Sequence, residues 1–177
     1  LLIKKVRKII MANHAIFRAD NCAFTKNPAL LKSAKYMAEG STATAIDNGN
    51  FVAIDGLIEG EREVHKAITP AANSTYFGIV KTPEVIYDQN GLGDSFLGNF
   101  TNEKDEVITV GILQKGDIFS VTAEALDTTP TVGQIVELQA GTKGKVVGEL
   151  TGGSTQVGKV IAIDVVGKVT YYVVEVQ

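Results

Sequence analysis

Downstream of Glu106 the hydrophobic and polar positions of the chain fall into short alternating runs. Phe119, Val121, Ala123 and Ala125 alternate with Ser120, Thr122 and Glu124, the two-residue period of a strand with one face buried. The pattern returns in Val136, Leu138 and Ala140 against Glu137 and Gln139, and in Ile161, Ile163 and Val165 with more mixed neighbours. Gly141, Gly144, Gly148, Gly152, Gly153, Gly158 and Gly167 punctuate these runs. Short strands separated by glycine turns predict a small antiparallel barrel or sandwich instead of a βαβ fold. Val166-Gly167-Lys168 marks a last hairpin, and its second strand, Val169–Val176, carries apolar residues on both faces, which predicts cover on both sides.

Upstream, Asn48-Gly49 is a turn signal, and Phe51-Val52-Ala53-Ile54 before Asp55-Gly56 predicts a short strand. Residues 24–40 form the one candidate helix. Asn27 is placed as its cap, Pro28 at the first turn and Gly40 as a stop, with Leu30, Leu31, Ala34, Met37 and Ala38 on one face. The competing reading makes residues 33–38 extended, leading into the Ser/Thr-rich stretch 41–45 of poor helix propensity. The expected architecture is mainly β. It has a small antiparallel β-barrel or sandwich body over residues 46–177, an extended N-terminal arm over 11–45, and at most one or two short helices.

Length and composition bound the function. At 177 residues and 18.8 kDa, one domain with an arm fits better than two full domains. Hydrophobic residues at 45% and charged residues at 21% exclude wholesale disorder and a membrane-embedded chain. With no Trp, one Cys and two His, little material exists for a zinc site, a disulfide framework or a Cys/His catalytic pair. The single Cys22 is expected to be a small buried residue.

The net charge of −3 is unevenly spread. Lys4, Lys5, Arg7 and Lys8 all precede Met11, with no acid among them; the other 13 basic residues face 20 acidic ones, a formal −7 from Met11 onward. An acidic body argues against binding phosphate backbones, so nucleic acid is not an expected partner. Residues 1–10 are expected to be a leader from a mis-assigned or extended start ahead of Met11, because codons for Lys5-Val6-Arg7 can spell a purine-rich ribosome-binding sequence just upstream; the competing reading makes this basic stretch a nucleic-acid or membrane arm. No apolar stretch of signal length follows Met11, and no apolar run reaches membrane-spanning length.

Most motifs that carry chemistry fail on spacing. Gly91-Leu92-Gly93-Asp94-Ser95-Phe96 begins like a dinucleotide fingerprint but has Phe96 in place of the third glycine. Gly141-Thr142-Lys143-Gly144-Lys145 is followed by Val146 where a phosphate loop needs a hydroxyl. The segment Asp88-Gln89-Asn90-Gly91-Leu92-Gly93-Asp94 resembles a calcium loop, yet Leu92 replaces one ligand and Asn99 stands where a bidentate Glu is required. No metal or cofactor is expected. The densest ionisable cluster is Glu59, Glu61, Glu63 and His65 with Arg62 and Lys66. Strand alternation would place Glu61, Glu63 and His65 on one face and Arg62 on the other. That face is expected to be a solvated or partner-contacting edge, acid–base catalysis being the competing use. Phe17, Arg18 and Phe24 suit an arm that orders on a neighbouring protein, since aromatic and Arg side chains are common interface anchors. The alternative is that the two Phe residues pack on their own body.

Several segments carry a resemblance. They are Ile46-Asp47-Asn48-Gly49-Asn50-Phe51-Val52, Leu57-Ile58-Glu59-Gly60-Glu61-Arg62-Glu63-Val64, Lys81-Thr82-Pro83-Glu84-Val85 and Gly116-Asp117-Ile118-Phe119-Ser120-Val121-Thr122. Gly133-Gln134-Ile135-Val136-Glu137-Leu138 and Val160-Ile161-Ala162-Ile163-Asp164 complete the set. In these the chain from Met11 to Gln177 resembles capsid-associated auxiliary or decoration proteins of tailed-bacteriophage heads. The resemblance implies a non-enzymatic virion protein on the capsid exterior, bound in many copies or as a homo-oligomer to the major capsid protein, which it stabilises. The competing functions are a carbohydrate- or ligand-binding β module, against which the absent Trp and 7% aromatic content stand, and a metal-assisted hydrolase built on Glu61, Glu63, His65 and Asp94.

Overall fold

A computed structural model describes residues 14–39, 41–85 and 96–177 of the chain. The expected leader 1–10, the calcium-like segment 88–94 and most of the 91–96 glycine motif lie outside the described residues.

The chain is mainly β, as its alternation predicts, and its strands form two sheets. β2 (Leu31–Tyr36), β3 (Phe51–Leu57), β4 (Val64–Ile68), β5 (Phe77–Val80) and β6 (Ile108–Gly111) close into a barrel in the order β2-β4-β3-β5-β6. Its pairs are antiparallel except β2 with β4, which run parallel with Ser33 opposite Val64 and Ala34 opposite His65. Closure leaves no free edge on this sheet. The second sheet is six-stranded. β1 (Phe17–Asn21), β7 (Ile118–Val121), β8 (Ile135–Gln139), β9 (Gly141–Val147), β10 (Gln156–Val166) and β11 (Val169–Val176) follow the order β1-β7-β11-β10-β8-β9.

The helix expected over 24–40 is not formed. Asn27 does cap a turn, its Oδ1 accepting the Ala29 N–H at 3.1 Å with Pro28 at the first position, but that 3-10 turn stops at Leu30. Leu31 onward is β2, paired to β6 with Leu31 opposite Gly111 and Ala34 opposite Ile108. Burial then follows a period of two, with Ala34 and Tyr36 inside and Ser33 exposed. The extended reading of 33–38 therefore describes this segment. The stretch expected to be an arm supplies β1 and β2, so residues 17–36 are built into both sheets.

The core is double, and the barrel strands serve both halves of it. Phe51 and Ile79 point out of the barrel to join Phe119, Val121, Leu138, Val157 and Val174 of the sheet. Val52 and Val80, their next neighbours in sequence, point into the barrel with Ala34, Tyr36, Ala67, Ile108 and Val110. A strand buried on both faces reads as a continuous apolar run, which is why Phe51-Val52-Ala53 does not alternate. Phe51 meets Phe119 edge-on, ring centroids 6.4 Å apart.

Two expected strands differ in detail. β7 ends at Val121, and residues 123–125 wind into a 3-10 turn that keeps Ala125 buried. In β11 Tyr172, Val174 and Val176 face the core, while Tyr171, Val173 and Glu175 on the other side are half-buried, so the cover expected on both faces is partial. The last hairpin turns as expected at Gly167-Lys168, between paired Val166 and Val169. Gly167 has φ +63°, a left-handed conformation that glycine adopts without strain.

Candidate partner surfaces

Arg18 lies on the outer face of the six-stranded sheet, opposite Ser120 of β7, in a row that continues through Val173 of β11 to Ala162 of β10. Its Nε donates to Asp20 Oδ1 at 2.7 Å, and its Nη2 to Asp164 Oδ2 at 2.9 Å and Ser120 Oγ at 3.3 Å. Ser120 Oγ also donates to Asp20, and the guanidinium lies 4.8 Å from the Tyr171 ring centroid. The bond to Asp164, with the nearby Asp20, raises the Arg18 pKa above its ordinary value. One side chain thus ties four strands together.

The two phenylalanines pack on their own body. Phe24 is 1% exposed, its ring lying on Gly111, where a Cβ would sit 2.7 Å from the ring. Phe17 is half-buried, with its ring 6.4 Å from Phe24 and 6.1 Å from Phe119. The intramolecular alternative accounts for both, and Phe24 has no surface left to offer a partner.

The ionisable cluster is split by a turn. β4 begins only at Val64, so Glu61, Arg62 and Glu63 sit exposed in the β3–β4 connection and the single face expected for Glu61, Glu63 and His65 is not formed. His65 is on the strand, its Nδ1 3.3 Å from the Asp55 carbonyl oxygen. Arg62, Glu63 and His65 line a polar depression of about 330 Å³ together with Leu31, Lys32 and Ser33 of β2, and Glu61 does not reach it. Lys32 and Ser33 were not foreseeable as neighbours of His65, because only the parallel β2–β4 pairing brings them there.

Other polar side chains bind backbone. Asn48 Nδ2 donates to the Thr82 carbonyl at 2.7 Å and its Oδ1 accepts the Thr82 N–H at 3.0 Å; Asn102 Nδ2 donates to the Ile46 carbonyl at 2.9 Å. Asp117 accepts the N–H groups of Ala23 and Gln114, each at 2.8 Å. Glu137, expected on the solvent side of its strand, is fully buried, with Lys145 Nζ at 2.9 Å and the Thr151 N–H at 2.8 Å. Burial pulls the Glu137 pKa up, but the hydrogen bonds from Thr151 and Lys145 together outweigh it and the carboxyl rests below its ordinary value. Cys22 is buried as expected, and burial pushes its thiol up to about 12. Among the described residues no group of three or more His, Cys, Asp or Glu side chains is placed to hold a metal ion.

Two groups of exposed aliphatic side chains were not singled out as contacts in the sequence. Val85 and Val107, about half exposed, rim a depression of about 420 Å³ with Thr82, Pro83, Phe100 and Glu106 at the barrel. Ile161, Ile163, Val165 and Val166 are exposed together near the tip of the β10–β11 hairpin. The signal for the second group is the near absence of charge over residues 160–166, where Asp164 stands alone.

No family model, curated protein or solved structure matches this chain.

Proposed function

We propose that the chain is a non-enzymatic structural protein of a tailed-bacteriophage head, an auxiliary or decoration protein that binds the capsid exterior and stabilises a shell made by the major capsid protein. The observation that carries this reading is the grouping of exposed aliphatic residues on an otherwise tightly tied β body. Contiguous apolar surface with a polar rim is the usual mark of a protein-binding face. The Val85–Val107 depression has that character, with Glu106 and Thr82 beside Pro83 and Phe100. It is the surface assigned to the shell. The family resemblance of the segments around it, Lys81 to Val85 among them, supports the same role.

Mass spectrometry and cryo-electron microscopy of purified virions test the proposal. The expected result is many copies per particle, with density on the outside of the head. The double variant Val85→Lys, Val107→Lys should keep the wild-type melting temperature and fail to attach. Absence of the protein from purified particles overturns the assignment.

A further inference from the structure

β10 is eleven residues long, but β8 pairs with only its first part, at Gln156, Gly158 and Lys159. Val160 completes that side by exchanging backbone hydrogen bonds with Gly133 and Gln134, both 2.8 Å. Beyond it, among the described residues, the backbone of residues 161–166 pairs with β11 alone, from Ala162 opposite Val173 to Val166 opposite Val169. β7 in turn leaves β11 at Tyr172. The hairpin therefore runs on past the sheet as a two-stranded ribbon with a bare β10 edge. Ile161, Ile163, Val165 and Val166 on it are 40–66% exposed. Natural edge strands are normally blunted by Lys, Pro, a bulge or an inward charge. The one such device here is a bulge between Val160 and Ala162, at the base of the ribbon; residues 160–166 contain no Lys or Pro, and their one charge, Asp164, is already bound by Arg18.

We propose that this edge is a homotypic dimerisation surface, on which residues 161–166 pair antiparallel with the same segment of a second copy across a two-fold axis. The occupant follows from charge and symmetry. The chain carries a net negative charge, so two copies meeting face to face at random repel, whereas this segment is apolar and its carboxylate is neutralised in place. An isologous contact must be complementary to itself. Antiparallel pairing centred on Ile163 sets Ile163 against Ile163, Ile161 against Val165 and Ala162 against Asp164, so no like charges stand opposite each other. The antiparallel direction also carries the two bodies to opposite ends of the joined ribbons, leaving room for both β8–β9 hairpins. The inference goes beyond the capsid reading and does not depend on it.

Sedimentation velocity of the full chain over a concentration series tests it, with Ile163→Lys as the disrupting variant. Wild type is expected to form a dimer, and Ile163→Lys to weaken it by at least about tenfold in dissociation constant, with the far-ultraviolet circular dichroism spectrum, and the melting temperature at dilutions where wild type is also monomeric, unchanged. Ile163→Cys is expected to give a reductant-sensitive covalent dimer under mild oxidation, because the axis sets residue 163 against itself. Cys22 is buried and does not compete. Leu57→Cys, equally exposed but on the barrel, is expected to give none. A wild type that stays monomeric, a dimer that survives Ile163→Lys, or cross-linking no better from residue 163 than from residue 57 overturns the proposal. A monomeric wild type whose binding to particles is abolished by Ile163→Lys would assign the edge to a shell-protein strand instead. Loss of the capsid role with the dimer intact would refute only the assignment to the phage head.

Discussion

The buried Glu137 makes a sharp test of how the β8–β9 hairpin is held. Its carboxylate is fully enclosed, while Lys145 is about one-third exposed and can swing into water. The two partners are therefore not equivalent. Removing Glu137 frees Lys145 to the solvent and leaves the Thr151 N–H unpaired; removing Lys145 strands a charged carboxylate in the interior with Thr151 alone. Breaking a buried pair from the side that leaves an uncompensated charge costs about 3–5 kcal/mol. Lys145→Met is expected to reach that range. Glu137→Leu, which swaps the buried acid for an apolar side chain of similar bulk, should cost about 1–3 kcal/mol, the value of an unpaired backbone donor. The double variant should be more stable than Lys145→Met alone, because the stranded charge is gone.

Urea denaturation followed by far-ultraviolet circular dichroism measures all four proteins. The pH dependence has a defined sign. The folded Glu137 pKa lies below the unfolded value, so its contribution is complete above the ordinary glutamate pKa of about 4.3 and declines as pH falls through the folded pKa. Wild type should therefore lose more stability than the double variant on acidification below that point. A Lys145→Met cost under about 1 kcal/mol at neutral pH, or a double variant less stable than Lys145→Met, refutes the reasoning.

Three further outcomes follow from the packing. Gly111→Ala should destabilise the fold by about 1–3 kcal/mol by overpacking, since the added carbon meets the Phe24 ring at 2.7 Å; thermal denaturation checks this, and an unchanged melting temperature would remove Phe24 from that position. Arg18→Ala should cost less than about 1 kcal/mol despite its four partners, because the guanidinium and both of its carboxylate partners are partly exposed and screened by salt; the difference from wild type should shrink in a denaturation series of rising ionic strength. Cys22, buried with its thiol pushed up to about 12, should react with a disulfide reagent such as DTNB only as fast as the fold opens, and immediate labelling of the native protein would contradict its burial.

Alternation made β7, β8 and the last hairpin legible because the apolar side chains of each gather on one face, although in β7 and β8 the polar Ser120 and Glu137 of the other face are buried as well. β2 was hidden by a coincidence of spacing. Leu30, Leu31, Ala34, Met37 and Ala38 fit one helical face, and the distant partners β4 and β6 decide for the extended form. β3 and β5 have no clean period because both of their faces are buried. Of the candidate contacts, Arg62, Glu63 and His65 do share one depression, but the Glu61–His65 face depended on a strand that starts three residues later than the pattern allowed. Glu137 obeys the outward position of its strand and is nevertheless enclosed, because the Thr151 loop and Lys145 fold over it. That is a tertiary effect which no local pattern encodes.

The position of β11 also fixes when folding can finish. It is the last strand in chain order, yet it lies inside the six-stranded sheet between β7 and β10. β1, near the start, reaches that sheet only through β7. During synthesis the barrel strands β2–β6 emerge before β7 and can close on one another, while Phe17, and then Phe119 and Val121, wait for β11, which emerges later. Long-range pairings of this kind fold slowly and leave apolar surface uncovered in the meantime. The nascent chain is thus most vulnerable to sticking to its own copies in the interval before β11 emerges, and overproduction at a lowered temperature should raise the soluble fraction more than any stabilising change to the barrel.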